Sequence, residues 1–309
     1  ADPTPVWKAN GDSPAQRSRY LRHSGLVTLR REDLLMSVNV ADIGVNGFGG
    51  HKHNDQLALT LCWGDEEFLI DPGTLCYTKD EPERNRLRSS AAHSTVTLSG
   101  REANRFIPGY MFALKRDGSP RVTAWLSTEE LDLLRAEHDC YGRLKGAPAV
   151  ARTVYFDKRL CFWLIRDQVI PAGGPAPDSP GWLSSLITGE RAVEISDSGA
   201  VLRGAKSEER HIKLTVFTQS VEVFGEKFIS APSYGVESVG TRIMFCPRQG
   251  QTDLIWGIFP YPVAGKREIT GDLLREKLRL LEWPDDNCAF PPGQLNADLQ
   301  LQSESRGRT

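Results

Sequence analysis

Short apolar segments, each ending at a turn residue, recur along the chain after about residue 25. They are rich in β-branched and aromatic residues and are bounded by Gly, Pro, Asp or Asn, which is typical of antiparallel strands. The segments are 34–40, 57–63, 67–70, 94–98, 121–126, 153–156, 160–165, 213–217 and 254–259. This pattern predicts an all-β fold, a large antiparallel β-sandwich of two stacked sheets with a few short helices.

Two of these segment pairs are close enough along the chain to form hairpins. One pair should turn at Gly64-Asp65, between LALTLCW and EFLID. The other should turn at Asp157-Lys158, between TVYF and LCFWLI. Turn-forming residues between apolar strands are the usual signal for a hairpin.

Helical patterns are scarce, and two segments carry one. A short helix is expected over 127–137, with Ser127 or Thr128 as the N-cap and Glu130 available for a capping box. A second helix is expected over 272–281, where leucines repeat on one face.

The ends of the chain are polar and lie outside the strand pattern. Residues 1–20 contain three prolines, and 171–181 is another proline-rich segment that cannot join a sheet ladder. We therefore expect a linker arm over 1–20, one sandwich domain over 21–300 with a loop at 171–181, and a polar tail over 301–309.

Composition removes several classes of protein. Hydrophobic residues make up 39% of the chain and the net charge is -2, so nothing favours a nucleic-acid partner. No apolar run is long enough to predict a membrane span. The first residues resemble neither a signal peptide nor a start site, so we expect a mature product or an excised fragment. Six cysteines without a C-x-x-C leave disulfide status and redox compartment open.

The segment GGHKHND, residues 49–55, carries the most chemistry. If it enters a strand, His51 and His53 point to the same face, because side chains alternate along a strand. Asp71 ends an apolar segment at a turn, and His93 begins another. Two or three imidazoles and a carboxylate suit Zn²⁺. The alternative is a pair of surface imidazoles and an ordinary turn.

On spacing alone these four residues form one candidate divalent-metal centre at the edge of the sandwich. Three protein ligands would leave a coordination position for water or substrate. Neighbouring polar groups should orient the rings. The candidates for that role are Asn54, Asp55 and Ser94.

Three runs within residues 44–100 resemble the C-terminal β-domain of heparinase II/III-like polysaccharide lyases. They are GGHKHNDQLALTL, EEFLIDPGTLCYT and RNRLRSSAAHSTVTLSG. The family pattern is G-H-x-H-x-D, then an apolar strand ending in D-P-G-T, then R-N-x-x-R-S-x-x-x-H-N. A weaker similarity continues through AEHDCY at 136–141 and the hairpin at 151–170.

The resemblance implies a role for each of the four residues. His53, Asp71 and His93 match the family's zinc ligands, and other divalent metals remain open. His51 matches a residue that faces the substrate cleft and takes part in proton transfer. The family usually has Asn after the third His, where this chain has Ser94, which puts one supporting hydrogen bond in doubt.

The basic cluster before His93 has two interpretations. Arg86 and Arg88 could bind uronate carboxylates or sulfates, because a guanidinium offers two parallel donors. Alternatively, the cluster is a solvated loop. Tyr77 is either a donor in the cleft or a packed aromatic, and packing is favoured. Packing is also favoured for the weaker candidates His138 and Tyr141.

The resemblance also implies a reaction and a missing part. Family members cleave uronic-acid polysaccharides by β-elimination, using Tyr and His groups largely from an N-terminal α/α toroid that this chain lacks. We therefore expect a longer natural protein, an acidic polysaccharide as partner, a periplasmic or secreted location, and little activity from this chain alone. The alternatives are a non-degradative protein that binds or assembles bacterial surface polysaccharide, and a cupin-like metalloenzyme.

Overall fold

The structure is a computed structural model that describes residues 17–44, 49–172, 181–207, 209–262, 269 and 271–281. The elements in chain order are β1 (Arg19–Leu21), β2 (Leu26–Arg31), β3 (Leu34–Asn39), β4 (Leu59–Trp63), β5 (Glu66–Leu69), α1 (Glu81–Arg88), β6 (Val96–Leu98), β7 (Pro120–Ser127), β8 (Leu131–His138), β9 (Ala149–Asp157), β10 (Phe162–Ile170), β11 (Trp182–Ile187), β12 (Val193–Ser196), β13 (Gly199–Arg203), β14 (His211–Val216), β15 (Val221–Ser233), β16 (Val236–Pro247), β17 (Asp253–Tyr261) and α2 (Gly271–Leu281).

The strands divide among three antiparallel sheets where the sequence predicted two. The first sheet runs β1-β2-β3-β4-β5, so each strand pairs with its neighbour in sequence. The second has the order β12-β13-β14-β17-β10-β9-β8-β7, and the third has the order β15-β16-β11-β6. The sheets stack in a sandwich-like arrangement, which confirms the all-β prediction.

One continuous hydrophobic core lies between the sheets. Each sheet contributes fully buried side chains to it, for example Met36 from the first, Trp163 from the second and Phe245 from the third. On the other face of the second sheet, Leu274 and Leu278 of α2 pack against Phe162 and Leu164 of β10. The middle of that sheet is therefore covered on both faces, which explains why nearly every residue of β9 and β10 is buried.

The predicted turns are where the sequence placed them. The β4–β5 hairpin turns at Gly64-Asp65, and the β9–β10 hairpin turns immediately after Asp157. The helix expected over 272–281 is confirmed as α2. None of the described helices has the length and apolar character needed to cross a membrane. No disulfide joins the described cysteines.

The helix predicted over 127–137 is wrong, because this segment is the turn from β7 into β8. Residues of β8 alternate between partly exposed and buried, as a strand requires. Two of the inward positions hold Asp132 and His138, so the alternation is not visible as apolar against polar. The expected cap forms a turn instead, with the Thr128 hydroxyl accepting from the backbone N–H groups of Glu130 and Leu131.

The domain boundaries predicted from sequence fall largely outside the described residues. The first strand begins at Arg19, two residues inside the predicted arm. Ser18 is already tied to the domain, since its hydroxyl lies 2.5 Å from the Asp132 carboxylate. Residues 1–16, 173–180 and 282–309 are not described, so the rest of the arm, most of the proline-rich loop and the tail stay predictions.

Candidate functional site

Three loops meet at one edge of the sandwich and carry the candidate ligands. His53 lies in the loop that leads into β4, Asp71 follows β5, and His93 follows a 3-10 turn at Ser90–Ala92 before β6. The G-H-K-H segment does not enter a strand, so the condition for the same-face alternation is not met: β4 begins only at Leu59. The imidazoles are therefore positioned by loop contacts and not by strand alternation.

The ligand atoms of His53, Asp71 and His93 converge on one point. Nδ1 of His53 lies 3.2 Å from Nε2 of His93, and that same Nε2 lies 3.6 Å from a carboxylate oxygen of Asp71. The donor atoms of all three residues lie within 4.8 Å of one another. Among the described residues, this is the one group of three or more His, Cys, Asp or Glu close enough to hold a metal ion.

Each imidazole has a second partner that fixes its orientation. Nδ1 of His93 lies 2.8 Å from the carbonyl oxygen of Ser89, so this nitrogen carries the proton and Nε2 is left with its lone pair. Nε2 of His53 lies 3.4 Å from the hydroxyl of Thr74, while its Nδ1 faces the cluster. A ring whose outer nitrogen is held in this way is the usual arrangement of a metal-binding histidine.

The protonation state of His53 also suits a ligand. Burial, reinforced by the neighbouring His93, lowers the pKa of His53 to about 3. The imidazole is therefore neutral over the whole ordinary pH range, as metal binding requires.

The cluster is open on one side. The His93 side chain is 1% exposed, whereas the Asp71 side chain is 52% exposed. One Asp71 oxygen accepts a hydrogen bond from the Gly73 backbone N–H at 2.9 Å, which leaves the other oxygen toward His93. Two nitrogens, one oxygen and an open side fit the donor set of a three-ligand zinc site.

His51 lies outside the cluster and faces solvent. Its ring meets the edge of Tyr77, with centroids 5.5 Å apart. Its donor atoms are not among those that converge with His53, Asp71 and His93. The interpretation of four equivalent residues therefore reduces to three clustered residues with an exposed imidazole two positions away, as the family resemblance implied.

The basic cluster before His93 is the helix α1, which the sequence pattern did not predict. Asp80 caps it by accepting from the Glu83 backbone N–H, and Pro82 occupies the first turn, where no intrahelical donor is needed. Acidic residues lie in its first turn and arginines in its last, the arrangement that the helix dipole favours. Arg84 and Arg88 are four residues apart and share its buried face.

These two buried arginines hold the loop that carries His51. Arg84 donates to the carbonyl of Gly50 at 2.6 Å, and Arg88 donates to the carbonyl of Lys52 at 3.0 Å. Both also donate to the carbonyl of Met111. The carbonyl groups on either side of His51 are thereby fixed, so α1 determines where the exposed imidazole lies.

The burial of Arg88 contradicts the solvated-loop interpretation, and substrate binding by Arg88 stays a prediction. Its side chain is 1% exposed, and its guanidinium donates to the carbonyl groups of Lys52 and Met111. Arg86 is more accessible, but its guanidinium is paired with Glu83 and donates to the Ile229 carbonyl. Tyr77 is partly buried and has Arg84 over its ring, at 5.5 Å from the centroid.

Two of the three candidates for orienting the imidazoles, Asn54 and Ser94, hold the surrounding backbone. Asn54 is fully buried and bonds to Glu102 and to the backbone of Asn104. The Ser94 hydroxyl accepts from the Ile187 backbone N–H at 3.0 Å. Burial raises the pKa of Asp55, and the nearby His93 opposes that rise.

Sequence reasoning missed the groups that do hold the rings, the Ser89 carbonyl and the Thr74 hydroxyl. It also missed Glu102, whose carboxylate accepts from the Ser90 backbone N–H and from Asn54. Burial raises the pKa of Glu102. Thr74 belongs to the D-P-G-T motif and could have been considered; a carbonyl such as that of Ser89 has no signal in a sequence.

The loop after Asp71 is joined to the distant β15–β16 hairpin. The Ala231 backbone N–H donates to the Pro72 carbonyl at 2.7 Å, and Gly73 forms a β-bridge with Ala231. Gly73 has φ +73°, and a Cβ there would lie 1.9 Å from the Ala231 carbonyl oxygen. Only glycine permits this approach.

The remaining histidines are ordinary, as expected. His138 and Tyr141 are buried and pack against each other, with ring centroids 5.6 Å apart. His23 is exposed, and His211 packs against Tyr261.

Comparison with known proteins supports the resemblance seen in the motifs. Residues 13–249, more than half of the chain, match the family described as Heparinase II/III-like, C-terminal. A search of curated proteins found no match.

Solved structures with the same fold include heparan sulfate lyase HepC from Pedobacter heparinus, with a TM-score of 0.65 and 17% identity. That match covers 84% of this chain and 38% of the other. The heparinase III BT4657 gene product matches with a TM-score of 0.65 and 17% identity, over 81% of this chain and 37% of the other. This chain thus spans well under half the length of these structures. From the extent of the family match, we conclude that the chain belongs to the heparinase II/III-like C-terminal domain family.

Proposed function

We propose that this chain forms the metal-binding wall of the substrate cleft in a polysaccharide lyase, which cleaves uronic-acid-containing polysaccharides by β-elimination. The observation that carries the proposal is the convergence of His53, Asp71 and His93 beside the exposed His51. The heparan sulfate lyases that share its fold support an acidic polysaccharide as substrate.

The proposed metal is zinc, held by His53, Asp71 and His93. When bound, it would supply a fixed positive charge and a tie between the three loops. The chain provides two imidazoles and a carboxylate for this purpose. In the absence of metal, the 3.2 Å contact between the rings is a hydrogen bond in which His53 donates from Nδ1 to the Nε2 lone pair of His93.

His51 is the proposed proton-transfer group. In β-elimination a base removes the proton next to the uronate carboxylate, and an acid protonates the departing glycosidic oxygen. An imidazole can do either, and His51 is the exposed one whose backbone is held on both sides by Arg84 and Arg88. Such fixing of the flanking carbonyls keeps the ring in place during proton transfer.

The charge around His51 favours an acidic ligand. Arg84 and Arg88 are buried, and within the described part of the chain neither lies at ion-pair distance from a carboxylate. Two buried cations with no carboxylate in direct contact leave a positive potential behind the loop, and a cleft with low-dielectric walls focuses such a field. We infer that this field attracts uronate or sulfate groups without direct contact.

The remaining catalytic groups are proposed to come from a helical domain on the other side of the cleft. This chain corresponds to 38% of the length of the HepC structure, and we expect it to have little lyase activity by itself.

Metal analysis tests the site. The purified wild-type chain should bind one equivalent of zinc, and His53→Ala and Asp71→Ala should lose it. His51→Ala is the matched control and should keep its metal. If the wild-type chain binds no zinc when zinc is supplied, the proposed metal site is contradicted.

Activity is tested on the chain joined to its helical domain, with heparan sulfate, alginate, chondroitin and hyaluronan as substrates. The formation of unsaturated uronates, followed by their ultraviolet absorbance, should appear with wild type and be lost in His51→Ala. Glycan binding without any such product would contradict a lyase and favour a non-degradative role in surface-polysaccharide production.

A further inference from the structure

Tyr234 is an exposed aromatic residue close to the candidate site, and no sequence motif draws attention to it. It lies in the turn between β15, which ends at Ser233, and β16, which begins at Val236. Its side chain is 63% exposed. Single exposed aromatic residues are common on protein surfaces, so exposure alone assigns no role to Tyr234, whereas its neighbours do.

The ring is held next to the site by two independent contacts. Tyr234 stacks on Tyr77 with centroids 5.8 Å apart and an angle of 17° between the ring planes. The Gly235 backbone N–H donates to the Leu75 carbonyl at 2.9 Å, which ties the turn to the segment after Asp71. The turn is therefore attached to the same loop that carries one of the metal-ligand candidates.

A row of rings leads from this turn to the proposed proton-transfer group. Tyr234 stacks on Tyr77, and Tyr77 meets the ring of His51 edge to face. Tyr77 is covered on its sides by Tyr234, His51 and the guanidinium of Arg84. Tyr234 is thus the more exposed of the two stacked tyrosines, at 63% exposure.

A flat, open aromatic face next to a polysaccharide cleft has a characteristic ligand. The ring face is electron-rich, and the axial C–H groups on one side of a pyranose carry partial positive charge. Such a face binds a sugar ring regardless of its charge, which complements the electrostatic attraction from the arginines.

We propose that Tyr234, supported by Tyr77, is a stacking platform for a sugar ring of the polysaccharide, adjacent to the sugar whose linkage faces His51. This inference rests on the proposed function and names one binding subsite of the same cleft. Tyr234 lies in the β15–β16 hairpin, so the third sheet would complete this subsite.

The test is the dissociation constant of the chain for heparan sulfate and alginate tetrasaccharides, measured by calorimetry. Tyr234→Ala should weaken binding by about tenfold, which corresponds to about 1.4 kcal/mol, because the sugar ring loses its stacking partner. Tyr234→Phe should bind within about twofold of wild type. Tyr234→Leu preserves apolar contact with Tyr77 but not the ring face, and it should bind as poorly as Tyr234→Ala.

Phe224→Ala is the matched control. Phe224 is also aromatic, 43% exposed and in the same hairpin, but it lies ten residues from Tyr234 along β15, a distance of roughly 33 Å in an extended strand. Its removal should leave the dissociation constant unchanged. The ratio between wild type and Tyr234→Ala should also be the same at low and high salt, because stacking is not screened.

The outcomes separate the subsite from the proposed function. If wild type and Tyr234→Ala bind the glycans equally well, the stacking proposal is contradicted, whereas the proposal of an acidic glycan ligand is kept. The exposed ring of Tyr234 would then be assigned to contact with a protein. If wild type binds neither glycan, the proposed substrate class fails and the platform fails with it.

Discussion

Arg152 in β9 pairs with Asp167 directly opposite in β10, with Nε and a carboxylate oxygen 2.6 Å apart and both side chains buried. The same guanidinium donates to the carbonyl groups of Leu57 and Ser94, each at 2.8 Å. Leu57 follows the H-x-H loop and Ser94 follows His93. The ion pair of the second sheet thus fixes the backbone on both sides of the candidate metal site.

Removing the negative partner should therefore be costly. Asp167→Asn leaves the Arg152 charge buried without its counter-ion, and breaking a buried pair in this way typically costs about 3–5 kcal/mol. We expect the urea unfolding midpoint to fall accordingly and zinc affinity to fall with it. Glu194→Gln, which removes an exposed ion pair with Arg203 in the same sheet, should leave the midpoint unchanged. Equal effects of the two variants would show that the buried pair has no special role.

Gly73 should be irreplaceable in a way that Gly100 is not. Both have positive φ, +73° and +63°, so Ala introduces backbone strain at each. Only at Gly73 does a Cβ meet another group, the Ala231 carbonyl, whereas no atom lies within 4 Å at Gly100. We expect Gly73→Ala to lower the free energy of unfolding by about 1–3 kcal/mol more than Gly100→Ala does, because the β15–β16 hairpin must move away from the new methyl group. Denaturant unfolding measures this difference. Equal losses would mean that the approach of the hairpin contributes nothing.

Thr74 should tune metal affinity without being a ligand. Its hydroxyl faces Nε2 of His53, and loss of such a partner usually weakens metal binding by 10-fold to 100-fold. At 3.4 Å the contact is long, so we expect Thr74→Val to weaken zinc binding by only about tenfold. A competition titration with a chelator measures this change in affinity. Thr78→Val, at an exposed position four residues on, should bind zinc as wild type does. A normal affinity for Thr74→Val would contradict the assigned orientation of the His53 ring.

His138 should make the protein sensitive to acid. Burial lowers its pKa to about 4, against an ordinary value near 6.5. Between these values the unfolded chain binds a proton and the folded chain does not, so stability falls as pH falls through this window. The shift corresponds to about 3 kcal/mol lost between pH 6.5 and pH 4.

The variant His138→Gln isolates this effect when it is compared with wild type. Its side-chain amide oxygen can still accept the hydrogen bond that the Cys140 backbone N–H donates to Nδ1 of His138. The free energy of unfolding of His138→Gln should decline less than that of wild type across the window. The exposed His23→Gln should follow wild type. Parallel curves for wild type and His138→Gln would contradict a buried neutral imidazole.

Local signals predicted the β-fold well, and the reasons are visible in individual residues. Gly64-Asp65 and Asp157-Lys158 were reliable because a turn between two apolar strands depends on a few neighbouring residues. The failure over 127–137 has the opposite cause. Asp132 is buried because Lys158, from the next hairpin, lies 2.7 Å from its carboxylate, and no local pattern contains that information.

The sequence predicted the metal-ligand candidates of the site, but it did not predict the residues that surround them. His53, Asp71 and His93 belong to motifs, so resemblance could bring them together. Arg84 and Arg88 looked like solvent-facing or substrate-facing charges, because their targets are carbonyl groups that every residue possesses. Tyr234 comes from a hairpin with no motif, and only the folded chain brings it beside Tyr77.

The bridge between Gly73 and Ala231 joins segments almost 160 residues apart in the chain. Contacts of such high sequence separation form late, since the cost of closing the intervening loop must be met first. During synthesis, the H-x-H loop and the Asp71 loop therefore emerge long before the hairpin that braces them. We expect a nascent chain that ends before β15 to contain all three metal-ligand candidates and still lack a finished site, so that metal uptake marks completion of the whole domain.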